Sequence, residues 1–240
     1  MYSRDLDGKT YTFGVSGKLW RDALLMYDHQ TRSLWSHITG EAIQGPLKGM
    51  RLKMLASMPQ IAWKTWKTNY PNTSVLSVPF RGGMRESLSR DSYQRYHTSQ
   101  DTGVSGTEYT DDRLPNKSLV IGVQVQAKGG NTQFRAYPIT RFTETAVVND
   151  TLGDVPLLIF HDKTSFATTV FKRVVEGRPL TFRHEDDYFA QDDSGTQWNL
   201  ITGEATSGKY NGTRLERVPA VNIYWFAWAR YYPQTTIYGQ

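Results

Sequence analysis

The chain has 240 residues, of which 38% are hydrophobic and 21% charged, a composition typical of a soluble globular protein and not of a disordered or membrane protein. It contains no cysteine, which excludes disulfides, thiol catalysis and thiolate metal sites. The net charge of +5 comes from 28 cationic and 23 anionic residues spread along the chain. Without a block of Lys and Arg, nucleic acid is not an expected partner.

The first predicted elements are short strands joined by tight turns. Asp7-Gly8 is a strong turn dipeptide, and alternating residues over 9–13 predict the strand that follows it. Gly14 and Gly17 are expected to break that strand. Residues 24–27 predict a second strand, followed by a polar turn over 28–33.

The next element is predicted as an amphipathic helix near 59–70. Trp63, Trp66 and Tyr70 recur at spacings of three and four, Pro59 fits the first turn, and Pro71 ends the helix. Residues 73–78 then read as a β-branched strand. A second helix is predicted near 222–231, where the same aromatic spacing returns.

Residues 79–116 lack periodicity and predict a long excursion, functional or mobile, that joins the two halves of the chain. It is basic and aromatic, and its candidate binding residues for an anion are Arg81, Arg85, Tyr93 and Tyr96. The alternative is that these charges are simply solvated, as most surface charges are.

Strands dominate the remainder of the chain. Residues 118–125 and 133–139 predict a hairpin that turns at 129–131. The apolar run 155–160 is typical of a strand buried on both faces. Residues 165–175 are ambiguous between strand and helix.

A long internal repeat organises these elements. The motif Trp-Ser-His-Ile-Thr-Gly-Glu-Ala at 35–42 returns as Trp-Asn-Leu-Ile-Thr-Gly-Glu-Ala at 198–205. Similarity extends over 4–77 and 173–238, a spacing too long for a solenoid. We therefore predict one β-rich, mostly antiparallel α+β domain built from two related halves about a pseudo-twofold axis. Copy one is 2–78, the connecting excursion is 79–116, and copy two, with an extra N-terminal part, is 117–238.

Several motifs resemble a known prokaryotic family. They are Thr-Phe-Gly-Val-Ser-Gly at 12–17, the 35–42 motif with its glycine-rich tail, Ala-Tyr-Pro at 136–138, Val-Asn-Asp at 148–150 and Trp-Phe-Ala-Trp at 225–228. Together these are similar to the family catalogued as domain of unknown function 3179, over essentially the whole chain. The resemblance implies no activity and favours a location outside the cytoplasm.

The resemblance also bears on metal and redox chemistry. Longer members carry an N-terminal segment with His-Glu-x-x-Asn-Asp and Cys-Pro-x-Cys motifs, which here would precede Tyr2. In the second copy Asn149-Asp150 survive, but Thr145-Ala146 stand where the His-Glu would be, and 161–164 occupy the cysteine position. We expect no metal and no cofactor, and we take Asn149, Asp150 and His161 as candidate binding residues.

Candidate catalytic residues are acidic. Glu41 and Glu204 hold the same position in the two copies, and a twofold axis could bring them together as a pair suited to glycoside hydrolysis. The alternative is structural, with each carboxylate accepting backbone N–H bonds within its own turn. Asp150 is the third candidate, although 149–154 lack the spacing of a calcium loop. The five histidines show no metal-ligand spacing.

Two functions follow as hypotheses. The first is a binding or structural module without its own catalysis, taking an anionic or carbohydrate ligand, since tryptophans can stack on sugars. The alternative is a hydrolase using acidic residues at the junction of the halves, which requires an open cleft with an exposed carboxylate. No signal peptide is visible, no apolar run is long enough to span a bilayer, and the sequence does not indicate the oligomeric state.

Overall fold

The computed structural model describes residues 1–55, 60–76, 93–103, 106, 109–142 and 144–240. The described helices are short: Trp63–Asn69, Gln94–Thr98, Trp225–Tyr231 and the 3-10 turn Ile139–Arg141. The described strands are β1 Asp5–Leu6, β2 Lys9–Thr10, β3 Phe13–Trp20, β4 Ala23–Asp28, β5 Leu34–Ser36, β6 Ala42–Gln44, β7 Leu119–Gln126, β8 Thr132–Pro138, β9 Thr145–Leu152, β10 Val155–Asp162, β11 Ala167–Lys172, β12 Val174–Val175, β13 Arg178–Pro179, β14 Phe182–Asp186, β15 Phe189–Asp192, β16 Gln197–Asn199, β17 Glu204–Ala205, β18 Ala220–Tyr224 and β19 Thr236–Ile237. The predicted β-rich, mostly antiparallel fold is confirmed.

Two tight hairpins open the two related segments. Strands β1 and β2 turn at Asp7-Gly8, whose φ angles are 49° and 74°. Strands β12 and β13 turn at Glu176-Gly177, with φ angles of 51° and 77°. Two consecutive positive φ angles match the right-handed twist of the strands, and glycine is favoured at the second position because it lacks a Cβ. The predicted hairpin at Asp7-Gly8 is confirmed.

Each hairpin leads into a four-stranded antiparallel sheet. The first sheet has the order β3-β4-β5-β6, and the second has the order β14-β15-β16-β17. The predicted break at Gly14 and Gly17 is wrong, because β3 runs through both residues. Its register with β4 shifts between Val15 and Leu19, so the extra residues are absorbed as a bulge instead of ending the strand.

Two further sheets form the centre of the molecule. A mixed sheet has the order β18-β7-β8-β19, in which β19 pairs parallel with β8, and a three-stranded sheet has the order β11-β10-β9. Strand β10 is buried on both faces, as its apolar run predicts. Leu157 and Ile159 pack towards the mixed sheet, whereas Leu158 and Phe160 pack towards the second four-stranded sheet. Strand β10 therefore contributes alternate side chains to two hydrophobic clusters, one shared with the mixed sheet and one with the second four-stranded sheet.

The helices Trp63–Asn69 and Trp225–Tyr231, called here the first and second tryptophan helices, are shorter than predicted. The first begins at Trp63, and Pro59 lies outside the described residues. The second begins only at Trp225, because 220–224 pair with β7 as strand β18. The strand predicted over 73–78 is wrong for 73–76, which carry no strand; residues 77 and 78 lie outside the described residues. None of the described helices is long and apolar enough to cross a membrane.

Each tryptophan helix packs on the four-stranded sheet of the other segment. In the first helix, Asn69 accepts a hydrogen bond of 2.8 Å from the Asn199 amide, beside the second sheet. In the second helix, the Tyr231 hydroxyl donates to the Trp20 carbonyl of the first sheet at 2.7 Å, and the two rings meet edge to face at 5.5 Å. The helices are therefore exchanged between the two segments, which brings residues far apart in sequence to one junction.

Candidate functional site

The carboxylates of the repeated motif lie in two separate ion pairs. Glu41 pairs with Arg51 and Glu204 pairs with Arg214, each at 2.6 Å and each across ten residues. Each pair joins residues that also form an isolated antiparallel bridge, so the acid supports its own loop. The structural hypothesis expected backbone N–H groups of the turn to donate to these carboxylates. The donors are instead the arginine side chains. Because both pairs are solvent-accessible, each is expected to contribute about 0.2–1 kcal/mol.

The tryptophan of each motif is hydrogen-bonded to a buried aspartate. Trp35 and Trp198 are fully buried, and their indole N–H groups donate to Asp28 and Asp192, both at 2.9 Å. Burial raises the pKa of Asp28, but hydrogen bonds from Trp35, Thr31 and Ser33 outweigh burial and hold this pKa below its usual value. Sequence reasoning missed both aspartates, although each precedes its tryptophan by a few residues in both copies.

Asn149 and Asp150 project from β9 to different partners. The Asn149 amide donates to the Phe182 carbonyl at 2.7 Å and accepts from the Phe182 N–H at 2.8 Å. Asp150 accepts hydrogen bonds from Arg135 at 2.6 Å and from the Tyr137 hydroxyl at 2.8 Å. Burial, reinforced by the Asp150 charge, raises the pKa of Tyr137. Both candidates thus hold neighbouring strands together.

His161 is fully buried on β10 beside Thr168. Its Nδ1 lies 2.8 Å from the Thr168 hydroxyl, which also accepts a hydrogen bond of 3.0 Å from the Asn222 amide. The His161 Nε2 and Asn222 Oδ1 atoms are buried without a partner in the described residues. Burial lowers the pKa of His161, while Asp162 opposes and Lys163 reinforces that shift. His161 is therefore a neutral core residue near neutral pH, and the described residues contain no cluster that could hold a metal ion.

This histidine should make the protein sensitive to mild acid. The unfolded chain binds a proton at the ordinary pKa of about 6.5, before folded His161 does, so stability should fall as pH drops below that value. The slope from one histidine is at most about 1.4 kcal/mol per pH unit. Thermal unfolding followed by circular dichroism should show a flatter pH profile for His161→Gln. His184→Gln, at an exposed position, is the control and should keep the wild-type pH profile. A wild-type profile in His161→Gln would show that His161 is not the source of the acid sensitivity.

The predicted anion site in the 79–116 excursion is only partly described. Arg81 and Arg85 lie outside the described residues. Tyr93 and Tyr96 line a shallow cleft with residues 100–103, and the Lys117 ammonium lies 3.9 Å from the centre of the Tyr96 ring. The Tyr96 hydroxyl accepts a hydrogen bond from the Gly103 N–H at 3.0 Å. The two tyrosines are thus brought together in one cleft, whose lining does not include Asn149, Asp150 or His161.

The exchanged helix creates an apolar cavity of about 240 Å³ at the junction of the two segments. Its first wall comes from the N-terminal residues and the turn after β5, and its second from β7, β18 and the second tryptophan helix. The residues that line it are Met1, Tyr2, His37, Ile38, Met54, Gly122, Gln124, Pro219, Ala220, Val221, Trp228 and Tyr232. This lining contains no carboxylate and no Lys or Arg.

Two polar groups at this cavity offer hydrogen-bond acceptors. The Tyr2 hydroxyl donates to the Ile38 carbonyl at 2.7 Å, which leaves that oxygen one further lone pair. His37 Nδ1 lies 2.7 Å from the Leu24 carbonyl, and because a carbonyl only accepts, Nδ1 carries the proton and Nε2 is the acceptor of the neutral ring. Burial raises the pKa of Tyr2 to about 12, with Arg51 opposing, so Tyr2 is neutral at physiological pH.

Close packing of helix on sheet forms the floor of the cavity. Gly122 lies under the Trp228 ring, and a Cβ at Gly122 would lie 2.3 Å from a ring carbon. Only glycine permits this approach, because any side chain there displaces the indole. The Trp228 N–H donates to the Thr235 hydroxyl at 2.9 Å, which orients the ring. Both walls of the cavity are therefore held by specific contacts.

Sequence reasoning did not identify the cavity residues. The signal that finds them is a difference between the copies: the repeat aligns Leu52 with Leu215, and two residues later Met54 stands opposite Arg217. That comparison singles out the position, but only the exchanged helix shows that Met54 borders an open space.

A comparison with known protein families finds a match over nearly the whole chain. The model of a family described as "Protein of unknown function (DUF3179)" matches residues 1–235. No curated protein and no solved structure matches the chain.

Proposed function

Since this chain belongs to the DUF3179 family of proteins of unknown function, we propose from its geometry that it is a binding module whose ligand site is the junction cavity. The observation that carries the proposal is an apolar cavity of about 240 Å³ with a few convergent acceptors, formed by residues from both ends of the chain. Such concave, mostly apolar sites with a few placed polar groups are typical of ligand binding.

The placement of the acidic residues supports binding over hydrolysis. Glu41, Glu204 and Asp150 do not line the cavity, and each carboxylate is engaged by an arginine. A hydrolase using them would have to break these ion pairs to free an oxygen for acid–base chemistry. The lining has no carboxylate and no Lys or Arg, so its aromatic rings and acceptor oxygens are what favour a neutral or cationic ligand over an anionic one.

We also propose that the two segments arose by duplication and are related by a pseudo-twofold axis. Each has the same hairpin, the same four-strand order, the same Asp–Trp pair and the same Glu–Arg pair. Each tryptophan helix also ends on a tyrosine with nearly identical backbone angles, φ −131° and ψ 69° at Tyr70 and φ −131° and ψ 68° at Tyr232. The exchange of the helices supports this origin, because two copies of one unit that swap a helix would have this arrangement when joined in one chain. The cavity lies at the junction of the two segments.

A charge series of fragments tests the binding function. Benzamide, benzoate and benzamidine share one shape and are neutral, anionic and cationic. We expect at least one of them to shift the NMR signals of the Gly122 amide and the Trp228 indole, which lie in the wall. Ala220→Leu, which fills the cavity, should abolish the shift, whereas Val15→Leu at an exposed position should not. If no fragment shifts either signal, the junction cavity is not a ligand site.

A further inference from the structure

The two segments place different residues at one equivalent backbone position. Tyr2 forms an isolated antiparallel bridge with Met54, and Phe171 forms the same bridge with Arg217. The neighbouring backbone hydrogen bonds, two residues earlier, are 2.9 Å long in both segments. Met54 and Arg217 are therefore structural counterparts. The residues around them occupy equivalent positions in the two segments and can be compared one by one.

In the second segment the arginine occupies its own site. The Arg217 guanidinium carbon lies 4.9 Å from the centre of the Phe171 ring, within cation–π range, and the guanidinium donates to the Ile201 carbonyl at 2.6 Å. The Tyr70 hydroxyl donates to the same carbonyl at 3.4 Å. No carboxylate of the described residues pairs with Arg217. An aromatic face and neutral oxygens thus suffice to hold this cation.

Burial has a measurable effect on this arginine. Desolvation lowers the pKa of Arg217, and the nearby Tyr70 hydroxyl opposes that shift. An arginine keeps its charge in proteins even so, because its intrinsic pKa is above about 12. The second segment therefore holds a charged guanidinium at this position.

The first segment repeats the surroundings but not the cation. Tyr2 stands in place of Phe171, Ile38 in place of Ile201, and Tyr232 in place of Tyr70. Met54 is shorter than arginine and uncharged, and the space beside it is the junction cavity of about 240 Å³. The aromatic rings and the carbonyl remain, so the first segment has the surroundings of a guanidinium without the guanidinium.

We propose that the junction cavity binds a guanidinium group supplied by a ligand, in the position that Arg217 occupies in the other segment. The proposal rests on the binding function above and names its ligand class. The Tyr2 ring supplies the stacking face, and the second lone pair of the Ile38 carbonyl and the His37 Nε2 supply acceptors. Arg51, whose charge acts on Tyr2, is paired with Glu41 at 2.6 Å.

The guanidinium has two possible sources, a small free molecule or an arginine side chain of a peptide. The cavity is smaller than the about 300–1,000 Å³ typical of small-molecule sites, which suits a group the size of one side chain. Both sources present the same chemistry to Tyr2 and Ile38, so the experiment includes both.

Calorimetry with matched probes tests the proposal on the full chain. Methylguanidine is compared with methylurea, which has the same shape without the charge, and a blocked Gly-Arg-Gly peptide with its citrulline analogue. We expect the charged member of at least one pair to bind about tenfold tighter, as cation–π stacking in a desolvated site allows. A stronger response to methylguanidine indicates a small ligand, and a stronger response to the peptide indicates an arginine side chain. Equal binding of charged and neutral probes overturns the proposal.

Substitution of Met54 locates the site. Met54→Arg should supply the guanidinium from the chain itself and abolish binding of the charged probes, whereas Met54→Leu should retain it. In the reverse change, Arg217→Met should lower the Tm, and methylguanidine should raise that Tm more than it raises the wild-type Tm. If Met54→Arg still binds methylguanidine at wild-type affinity, the site is elsewhere and the proposal fails. If benzamide or benzoate binds at the cavity while every guanidinium probe fails, the binding function stands and this inference alone falls.

Discussion

Replacing Trp225 with alanine should lower the free energy of unfolding by about 3–5 kcal/mol, because it removes a fully buried indole and leaves a cavity. Trp225 packs against Val120 and Ala136 of the mixed sheet, and its N–H donates to the Asp111 carbonyl at 2.9 Å. The Arg113 guanidinium lies 5.0 Å from the ring centre and covers it. Truncation therefore also leaves the Asp111 carbonyl without its donor.

The matched control is the counterpart of this residue in the repeat. Trp63 begins the first tryptophan helix as Trp225 begins the second, but 53% of its surface is exposed. Trp63→Ala should therefore cost clearly less than Trp225→Ala, because about half of the Trp63 surface stays in water in the folded chain. Equilibrium urea unfolding of both variants measures the difference, and equal losses at the two positions would contradict the different burial of the helices.

Replacing Asp192 with alanine should cost about 2–6 kcal/mol, since it leaves two buried donors unsatisfied at about 1–3 kcal/mol each. These donors are the Trp198 indole N–H at 2.9 Å and the Thr196 backbone N–H at 3.1 Å, both on fully buried residues. The adjacent Asp193 is the control, because it forms a solvent-accessible ion pair with Arg178 at 2.7 Å. Asp193→Ala should cost about 1 kcal/mol or less.

A double-mutant cycle isolates the contact between the carboxylate and the indole. Trp198→Phe removes the donor and keeps an aromatic ring in the core. If Asp192 acts mainly through Trp198, the double variant should lose less stability than the two single variants added together. Additive losses would show that Asp192 stabilises the turn alone, through its bonds to Ser194 and Thr196.

Local sequence patterns predicted most of the elements. The Asp7-Gly8 turn, the strand after it, the apolar run of β10 and both tryptophan helices follow from residue spacing and turn chemistry, which act within a few positions of the chain. Errors occurred where a distant partner overrides the pattern. Residues 220–224 became a strand because β7 offers them backbone partners, and β3 passes through Gly14 because β4 holds it in the sheet.

The candidate site residues have contacts that local sequence patterns do not indicate. The repeated glutamates hold equivalent positions in the sequence, but each is held by an arginine ten residues further along, within its own loop. Asn149, Asp150 and His161 are polar residues in a region where function was expected, and their contacts are those of a hydrogen-bonded core. Polar identity alone does not indicate whether a side chain faces a ligand or a neighbouring strand.

By itself, the sequence determined the family, the repeated Trp-to-Ala motif, the Asp7-Gly8 turn and the location of both tryptophan helices, because these depend on spacing along the chain. Only the tertiary structure decided that Trp225 is buried while Trp63 is exposed, and that the space beside Met54 is open where Arg217 fills its counterpart. Burial depends on what the rest of the chain covers. The two helices share their tryptophan spacing but acquire different surroundings, because Tyr109 and Leu114 pack over the second helix and the described residues leave Trp63 of the first helix exposed.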